Sequence, residues 1–243
     1  MDDTISKLKE IIENSDNIVF FGGAGVSTES GIPDFRSADG LYNKSYDYPP
    51  ETILSHSYFM AKTEEFYRFY REKMLYPDAK PNNAHIALAK LEALGKLKAV
   101  ITQNVDGLHT LAGSKNVLEL HGSALRNICM SCKNSYPLDI IIHSKGIPRC
   151  SCNGIIKPDV VLYEETLSTA VMNKATSAIR NADVLIVGGT SLNVYPAAGM
   201  INYYHGNKLI LINKSETPYD SYADLIIRES IGLTLIEAVD GLI

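Results

Sequence analysis

No apolar run in this 243-residue chain approaches the roughly 18 residues that a membrane-spanning helix requires. Nor is there an excess of basic charge. The 23 Lys and Arg are outnumbered by 28 Asp and Glu, a net charge of -5, whereas binding to bare nucleic acid or an anionic membrane is driven by clustered cations. Neither partner is expected, and a peptide substrate has to dock by shape or backbone pairing. Repeats and low-complexity tracts are also missing. No cysteine falls outside residues 129–152, while a secreted disulfide framework spreads its cysteines along the chain. The opening Met1-Asp2-Asp3-Thr4 is acidic where a signal peptide is basic. A cytoplasmic, monomeric protein is the expectation.

What is present is enough apolar material for a real core, at 45% hydrophobic residues. Asn17-Ile18-Val19-Phe20-Phe21, Ala99-Val100-Ile101-Thr102, Asp183-Val184-Leu185-Ile186-Val187 and Lys208-Leu209-Ile210-Leu211-Ile212 read as buried parallel strands. Stretches of helical period lie among them, such as Ala84 to Leu94 with Gly95 as its cap, and Leu167 to Arg180. This alternation predicts an α/β fold with a doubly wound parallel sheet, Rossmann-like in character. Two segments break the rhythm. Residues 40–80 are rich in Tyr, with a helix starting at Thr63-Glu64-Glu65, and residues 124–156 hold every cysteine. Together they predict a smaller inserted domain beside a large domain made of residues 1–39, 81–123 and 157–243.

In an open parallel sheet, ligands bind beyond the carboxyl ends of the strands, where the connections diverge. The first run ends in Gly22-Gly23-Ala24-Gly25-Val26-Ser27, whose small residues let the backbone approach a pyrophosphate. Such a cluster alone also fits a tight turn with no ligand. The ten residues that follow, Thr28 to Ser37, show neither helical nor strand periodicity, and long irregular loops in compact domains are commonly functional.

Gly23-Ala24-Gly25-Val26-Ser27 together with Ser30-Gly31-Ile32-Pro33-Asp34-Phe35-Arg36 closely resembles the cofactor-binding loop of the sirtuin family. The resemblance continues, in the family's order, through Thr102-Gln103-Asn104-Val105-Asp106-Gly107-Leu108-His109, Glu119-Leu120-His121-Gly122, Gly188-Gly189-Thr190-Ser191-Leu192 and Ile212-Asn213. It implies NAD-dependent removal of acetyl groups from protein lysines, with nicotinamide, O-acetyl-ADP-ribose and free lysine as products. NAD is then the co-substrate, and acetyl-lysine proteins or peptides are the partners. The implied catalytic residues are His121, an imidazole able to act as general base near neutrality, and Asn104. Asp106 and the backbone of Val105 would grip the carboxamide, and Phe35 would cover the reacting sugar. Gln103 and Asn104 offer neutral groups to ribose hydroxyls. Arg36 suits the phosphates or ribose, although an ion pair with Asp34 is open to it too. Thr190, Ser191 and Asn213 would serve the diphosphate and adenosine ribose, with Ala24, Thr28 and Ile231 as further cofactor contacts. His109, the rival histidine, reads as packing or support behind the loop.

Cys129-Met130-Ser131-Cys132 and Cys150-Ser151-Cys152 are two pairs whose separation suits a zinc ribbon. Zn2+ held by four thiolates has no open position, so its role is structural; reduced, unligated cysteines are the alternative. The family's second pair has a two-residue spacer, here only Ser151. Lys157 to Glu165 resembles the sirtuin strand that pairs with an extended substrate peptide, with Asn193-Val194-Tyr195 opposite. By that resemblance the Val161 backbone accepts the acyl-lysine N–H, and Val161, Leu162, Phe35 and Val194 line an apolar tunnel. Glu164 stands where the family commonly has Gly, which would favour basic residues beside the target lysine. Sirtuins that prefer acidic acyl groups carry a Tyr and an Arg three apart on a small-domain helix. Here Tyr67 is followed by Tyr70, and Arg71 is turned about 100° away, so a neutral acyl group is expected. Deacylation of longer chains, mono-ADP-ribosyl transfer, and a non-enzymatic NAD-sensing module are the competing readings. The intact set of Asn104, Asp106 and His121 favours deacetylation.

Overall fold

Continuous apolar runs are stable where both faces of a strand are covered, and the four strongest runs are used in that way. The computed structural model describes residues 3–35, 37, 40–43 and 46–242. Its strands are β1 (Ile18–Gly22), β2 (Leu97–Thr102), β3 (Val117–Glu119), β4 (Gly122–Cys129), β5 (Ser135–Pro137), β6 (Ile156–Val160), β7 (Val184–Gly188), β8 (Lys208–Ile212) and β9 (Leu225–Ile227). Its helices are α1 (Asp3–Glu13), α2 (Pro50–Ile53), α3 (His56–Ala61), α4 (Thr63–Lys73), α5 (Asn83–Ala93), α6 (Leu108–Leu111), α7 (Asp139–His143), α8 (Thr169–Asn181) and α9 (Ile231–Val239). Six strands form one parallel sheet in the order β3-β2-β1-β7-β8-β9. Numbered among themselves they run 3-2-1-4-5-6, the doubly wound Rossmann order, with its switch point between β1 and β7.

The two faces of β1 show how the layers are made. Ile18 and Phe20 join one core with Leu8 and Ile12 of α1, Leu88 and Leu91 of α5, and Leu235 of α9. Val19 and Phe21 join the other, with Ala175 and Ile179 of α8 and Met200 from the 3-10 segment Ala197–Tyr203. Each buried Phe stabilises the fold by roughly 1.5–3 kcal/mol. The helix ends follow local signals. Asn82 caps α5 by accepting from the Ala84 N–H (2.9 Å), and α5 closes where Gly95 and Lys96 donate back to the carbonyls of Glu92 and Leu91. The two edge strands, β3 and β9, were not among the expected runs; at three residues each they carry no readable period.

A third core belongs to the small lobe. Phe66, Tyr67, Phe69 and Tyr70 recur at helical spacing on α4, which begins at Thr63. They pack with Phe59, Ile141, Cys129, Cys150 and Ile156. Edge-on ring pairs, Phe59 with Phe66 at 4.9 Å and Phe66 with Tyr67 at 5.3 Å, set their geometry. The second sheet, antiparallel and ordered β5-β4-β6, carries the cysteines at its ends. Residues 157–160 are part of β6 and pair with β4.

Candidate active site at the strand switch point

The loops after β1 and β7 meet where the sheet order reverses. Gly25 N–H donates to the Gly189 carbonyl (2.8 Å), and a Cβ on Gly25 would lie 2.8 Å from Gly189 Cα. Gly189 itself has φ +59, and a Cβ there would collide with the Val26 amide. Only glycine permits this crossing. It opens a cavity of about 850 Å³, within the usual size of a ligand pocket.

Polar groups converge on that cavity from β2 and its following loop. Asn104, nearly buried, donates from Nδ2 to Ser27 Oγ (3.0 Å), and Ser27 donates to Asp106 Oδ2 (2.7 Å). Asp106 Oδ1 accepts from the Leu108 N–H (2.9 Å). Each carboxylate oxygen retains a further lone pair for a ligand donor. Ser27 is 1% exposed; the sequence placed it inside the first motif without a role, yet it joins the motif's loop to the second. Gln103 ties three elements together: its N–H donates to Gly22 of β1 (3.0 Å), its Nε2 donates to Thr190 Oγ1 (3.0 Å), and its carbonyl accepts from His121.

The bond to His121 fixes the chemistry of that ring. A carbonyl only accepts, so Nδ1, 3.0 Å from Gln103 O, carries the proton and Nε2 keeps its lone pair. His121 lines the cavity. Burial holds it below the ordinary imidazole range, partly offset by the Gln103 bond, so the neutral, basic form dominates at pH 7. Gly122 anchors the position: its φ is +76, and a Cβ would collide with the Asp159 carbonyl of β6. The His121 carbonyl in turn accepts from the Val161 N–H (2.9 Å), which makes His121 and the expected substrate strand direct neighbours.

Of the other expected site residues, Ala24, Phe35, Val105, Thr190, Ser191 and Asn213 line the same cavity. So do Val161, Leu162 and Val194. Thr28 and Ile231 do not. Thr28 Oγ1 turns back to the Gly25 carbonyl (3.0 Å), and Ile231 is buried in the core against the end of β7. Arg36 lies outside the described residues. Tyr70 lines the cavity, and its buried hydroxyl has no partner among the described residues. Arg71 is spent elsewhere, on the Ile141 and Gly146 carbonyls and Ser144 Oγ. Glu164 lines the cavity rim, exposed, and its carboxylate accepts from Ser57 N–H (2.8 Å) and Ser57 Oγ (2.9 Å).

His109 sits behind the loop, 2% exposed, its ring 4.6 Å from that of His85. Burial depresses His85 to about 4, against the pull of Asp106 and Glu29, and His109 to about 3, with His85 adding to the effect. Both folded-state values lie below the unfolded 6.5, so the unfolded chain takes up protons that the folded one refuses. The stability these rings allow is present above pH 6.5 and lost as pH falls toward 4. Urea unfolding at pH 7 and pH 5 is expected to differ by about 2 kcal/mol for each ring, and His109→Phe is expected to flatten that slope. Equal slopes in the two proteins would contradict this account.

The four Sγ atoms lie within 4.8 Å of one another. Cys129 faces Cys152 and Cys132 faces Cys150, each pair at 3.5 Å, close to the roughly 3.8 Å spacing of thiolates around tetrahedral zinc. The second knuckle closes in spite of its single spacer, because Asn153 takes a left-handed φ of +67 and donates to the Cys150 carbonyl (2.8 Å). The Cys152 amide and the Tyr136 hydroxyl pull Cys150 down to about 6. The Asn134 amide pulls Cys132 down as well, but Cys150 opposite, burial, and the Cys129 and Cys152 sulfurs together outweigh it and push Cys132 up to about 12. Two such thiolates coexist only around a cation, so the donor set fits a dication such as Zn2+.

The Sir2 family model matches residues 23–196, which span the cavity loops up to the one after β7 and the cysteine sheet. The chain belongs to the Sir2 family. A relative from Clostridium perfringens, an NAD-dependent protein deacetylase, is 63% identical over 99% of this chain and 100% of its own. Among solved Sir2-family structures, a variant enzyme with a deacetylated p53 peptide and 3′-O-acetyl ADP ribose superposes with a TM-score of 0.91, at 37% identity over 99% of both chains. A Sir2 homologue in complex with NAD gives 0.87, at 41% identity over 98% of this chain and 93% of that one.

Proposed function

We propose that this Sir2-family chain is an NAD-dependent protein-lysine deacetylase with His121 as its general base. The observation that carries the reading is the tautomer of His121: Nδ1–H is committed to the Gln103 carbonyl, which leaves Nε2 basic at a cavity wall next to Val161. The glycine crossing and the neutral amides and hydroxyls of Gln103, Asn104 and Thr190 fit NAD. When bound, NAD supplies the ribose carbon that takes the acyl group and releases nicotinamide. The chain's own work is positional and protic. Asp106, braced by Ser27 and the Leu108 amide, accepts from the carboxamide; Phe35 shields the reacting sugar from water; Asn104 orients a ribose hydroxyl; His121 takes the proton of that hydroxyl. Thr190, Ser191 and Asn213 hold the diphosphate and adenosine end. Val161 accepts the N–H of the acyl-lysine amide, and Leu162 and Val194 enclose its apolar stem. Zn2+ on Cys129, Cys132, Cys150 and Cys152 has a structural part only. We further place the division into a large and a small lobe around this cleft, with the substrate strand at their junction.

No helix of the described residues is long and apolar enough to cross a membrane. The net charge of -5 supports an enzyme without a nucleic-acid partner, and a cytoplasmic monomer is part of the same proposal. The deciding experiment follows an acetyl-lysine peptide by mass spectrometry with and without NAD. Deacetylated peptide, nicotinamide and O-acetyl-ADP-ribose are expected in equal amounts; nicotinamide release with ADP-ribose gained by protein would instead establish transfer. The unpartnered Tyr70 hydroxyl and the diverted Arg71 favour a neutral acyl group. A succinyl-lysine peptide is expected to show kcat/KM at least about tenfold below the acetyl peptide, the discrimination expected where a buried charge meets no partner.

A further inference from the structure

The segment after β6 is fastened to the small lobe by its own side chains. Tyr163 N–H donates to the Leu54 carbonyl (3.0 Å), and the Tyr163 carbonyl accepts from the His56 N–H (2.9 Å). Glu165 accepts from the Leu162 N–H (2.9 Å) and lies 2.9 Å from His56 Nδ1 and 3.1 Å from Lys157 Nζ. Between them, Glu164 occupies φ +72, a left-handed conformation open to glycine and costly for a residue with a Cβ. An outlier of that kind persists where surrounding contacts over-determine it. Here the contacts are two hydrogen bonds to one residue 107 positions away, from Ser57 N–H to Glu164 Oε2 (2.8 Å) and from Ser57 Oγ to Glu164 Oε1 (2.9 Å). They engage both carboxylate oxygens at the start of α3.

We infer that Glu164 is a positioning residue for the peptide substrate: its carboxylate clasps Ser57 and sets the strand Val161–Leu162 at the place where an acyl-lysine peptide pairs. Among the described residues, the segment's other side-chain contact with α3 is that of Glu165 with His56, and the Glu165 carboxylate is shared with its own loop. Val161 is held on one side by the His121 carbonyl. Without the clasp the backbone bonds of Tyr163 to Leu54 and His56 remain, but the left-handed turn at Glu164 is free to relax, which shifts the strand's pairing edge at Val161–Leu162 while the NAD half of the cleft stays in place. The kinetic consequence rests on the deacetylase reading; the clasp itself does not.

Three variants separate the clasp from the strain it offsets. Glu164→Ala keeps the Cβ and loses both bonds. Glu164→Gly loses the bonds but relieves the backbone. Ser57→Ala removes the hydroxyl alone and leaves the amide bond. With an acetyl-lysine peptide and NAD, E164A is expected to raise the peptide KM about tenfold, the loss of a hydrogen-bonded charge, with kcat and the KM for NAD changed less than about twofold. S57A is expected to show a smaller rise, and the double variant no more than E164A alone. E164G is expected to melt above E164A yet keep the raised KM, a separation that a purely structural role cannot produce. A wild-type KM in E164G, or equal rises for peptide and NAD together with a lower Tm, would overturn the inference. Amide hydrogen exchange tests the clasp without turnover. Faster exchange at Ser57 and across residues 161–165 in E164A is the expected result, and unchanged protection would refute it. Failure of the wild-type enzyme to deacetylate would overturn the functional reading and leave the exchange result to decide the clasp.

Discussion

His121→Ala is expected to lower kcat for deacetylation by roughly 10²–10⁴-fold, the range that loss of a positioned general base produces, while the fold and most of the NAD affinity survive. The structure explains the separation. The ring makes one hydrogen bond, from Nδ1 to Gln103 O, and the carbonyl freed by the substitution borders a cavity that water can enter. Asp106, Thr190 and Asn213 do not depend on it. The pH profile adds a second check with a definite sign. A base works in its deprotonated form, and burial holds His121 below its usual range. The acid limb of kcat/KM, which reports the free enzyme, is therefore expected below the ordinary imidazole value of about 6.5, with a plateau by pH 7. Calorimetry of NAD binding, set beside product release by the alanine variant, distinguishes lost chemistry from lost binding. Residual turnover above about a tenth of the wild-type rate, short of the smallest loss expected for a base, would remove His121 from the role.

How much of this was legible in the sequence depended on the range of the interactions. The four central strands were readable because strands covered on both faces are apolar without interruption, as Val184–Gly188 shows. Helix α4 was readable from Phe66, Tyr67, Phe69 and Tyr70, which share one face. The three-residue edges β3 and β9 were not, since they offer too few positions for a period. The cavity residues came from motifs that each end a strand, and the sheet order brings those ends together without any residue having to announce it. Long-range side-chain bonds left no such trace. The Ser27 bridge from Asn104 to Asp106 spans 77 and 79 positions, and the Tyr42 and Tyr163 hydroxyls that meet beside the cleft are 121 positions apart. Glu164 shows the limit most clearly. A change from the family's usual glycine was visible, and a charge on the cleft rim was its natural meaning, but that the carboxylate is held in place by Ser57 of α3 was not. A sequence reports which group is available; only the fold reports what has already claimed it.

Stripping the metal from the cysteine site is expected to unfold the small lobe and silence the enzyme without the metal having any part in the chemistry. Cys129 and Cys150 are members of the same core as Phe59, Phe66, Tyr67 and Ile156, and the two knuckles join the end of β4 to the approach to β6. Structural zinc contributes an apparent 10–16 kcal/mol, roughly, in zinc-finger peptides, comparable to the whole stability of a typical domain. Without a dication, Cys132 and Cys150 cannot both remain ionised at 3.5 Å, so the pairs lose their charge and their reason to converge. β6 leads directly into Val161, and slackening the ribbon therefore disorders the peptide wall of the cleft before it reaches the parallel sheet. Elemental analysis is expected to give one zinc per chain. Chelation should then abolish deacetylation in step with loss of hydrogen-exchange protection across residues 122–160, while the protection of β1, β2, β7 and β8 persists. Position within the site grades the single variants: Cys129→Ser, at a fully buried sulfur, is expected to destabilise more than Cys152→Ser, at an exposed one. Full activity after complete loss of zinc would show that the ribbon holds its shape unaided, and the structural role would have to be abandoned.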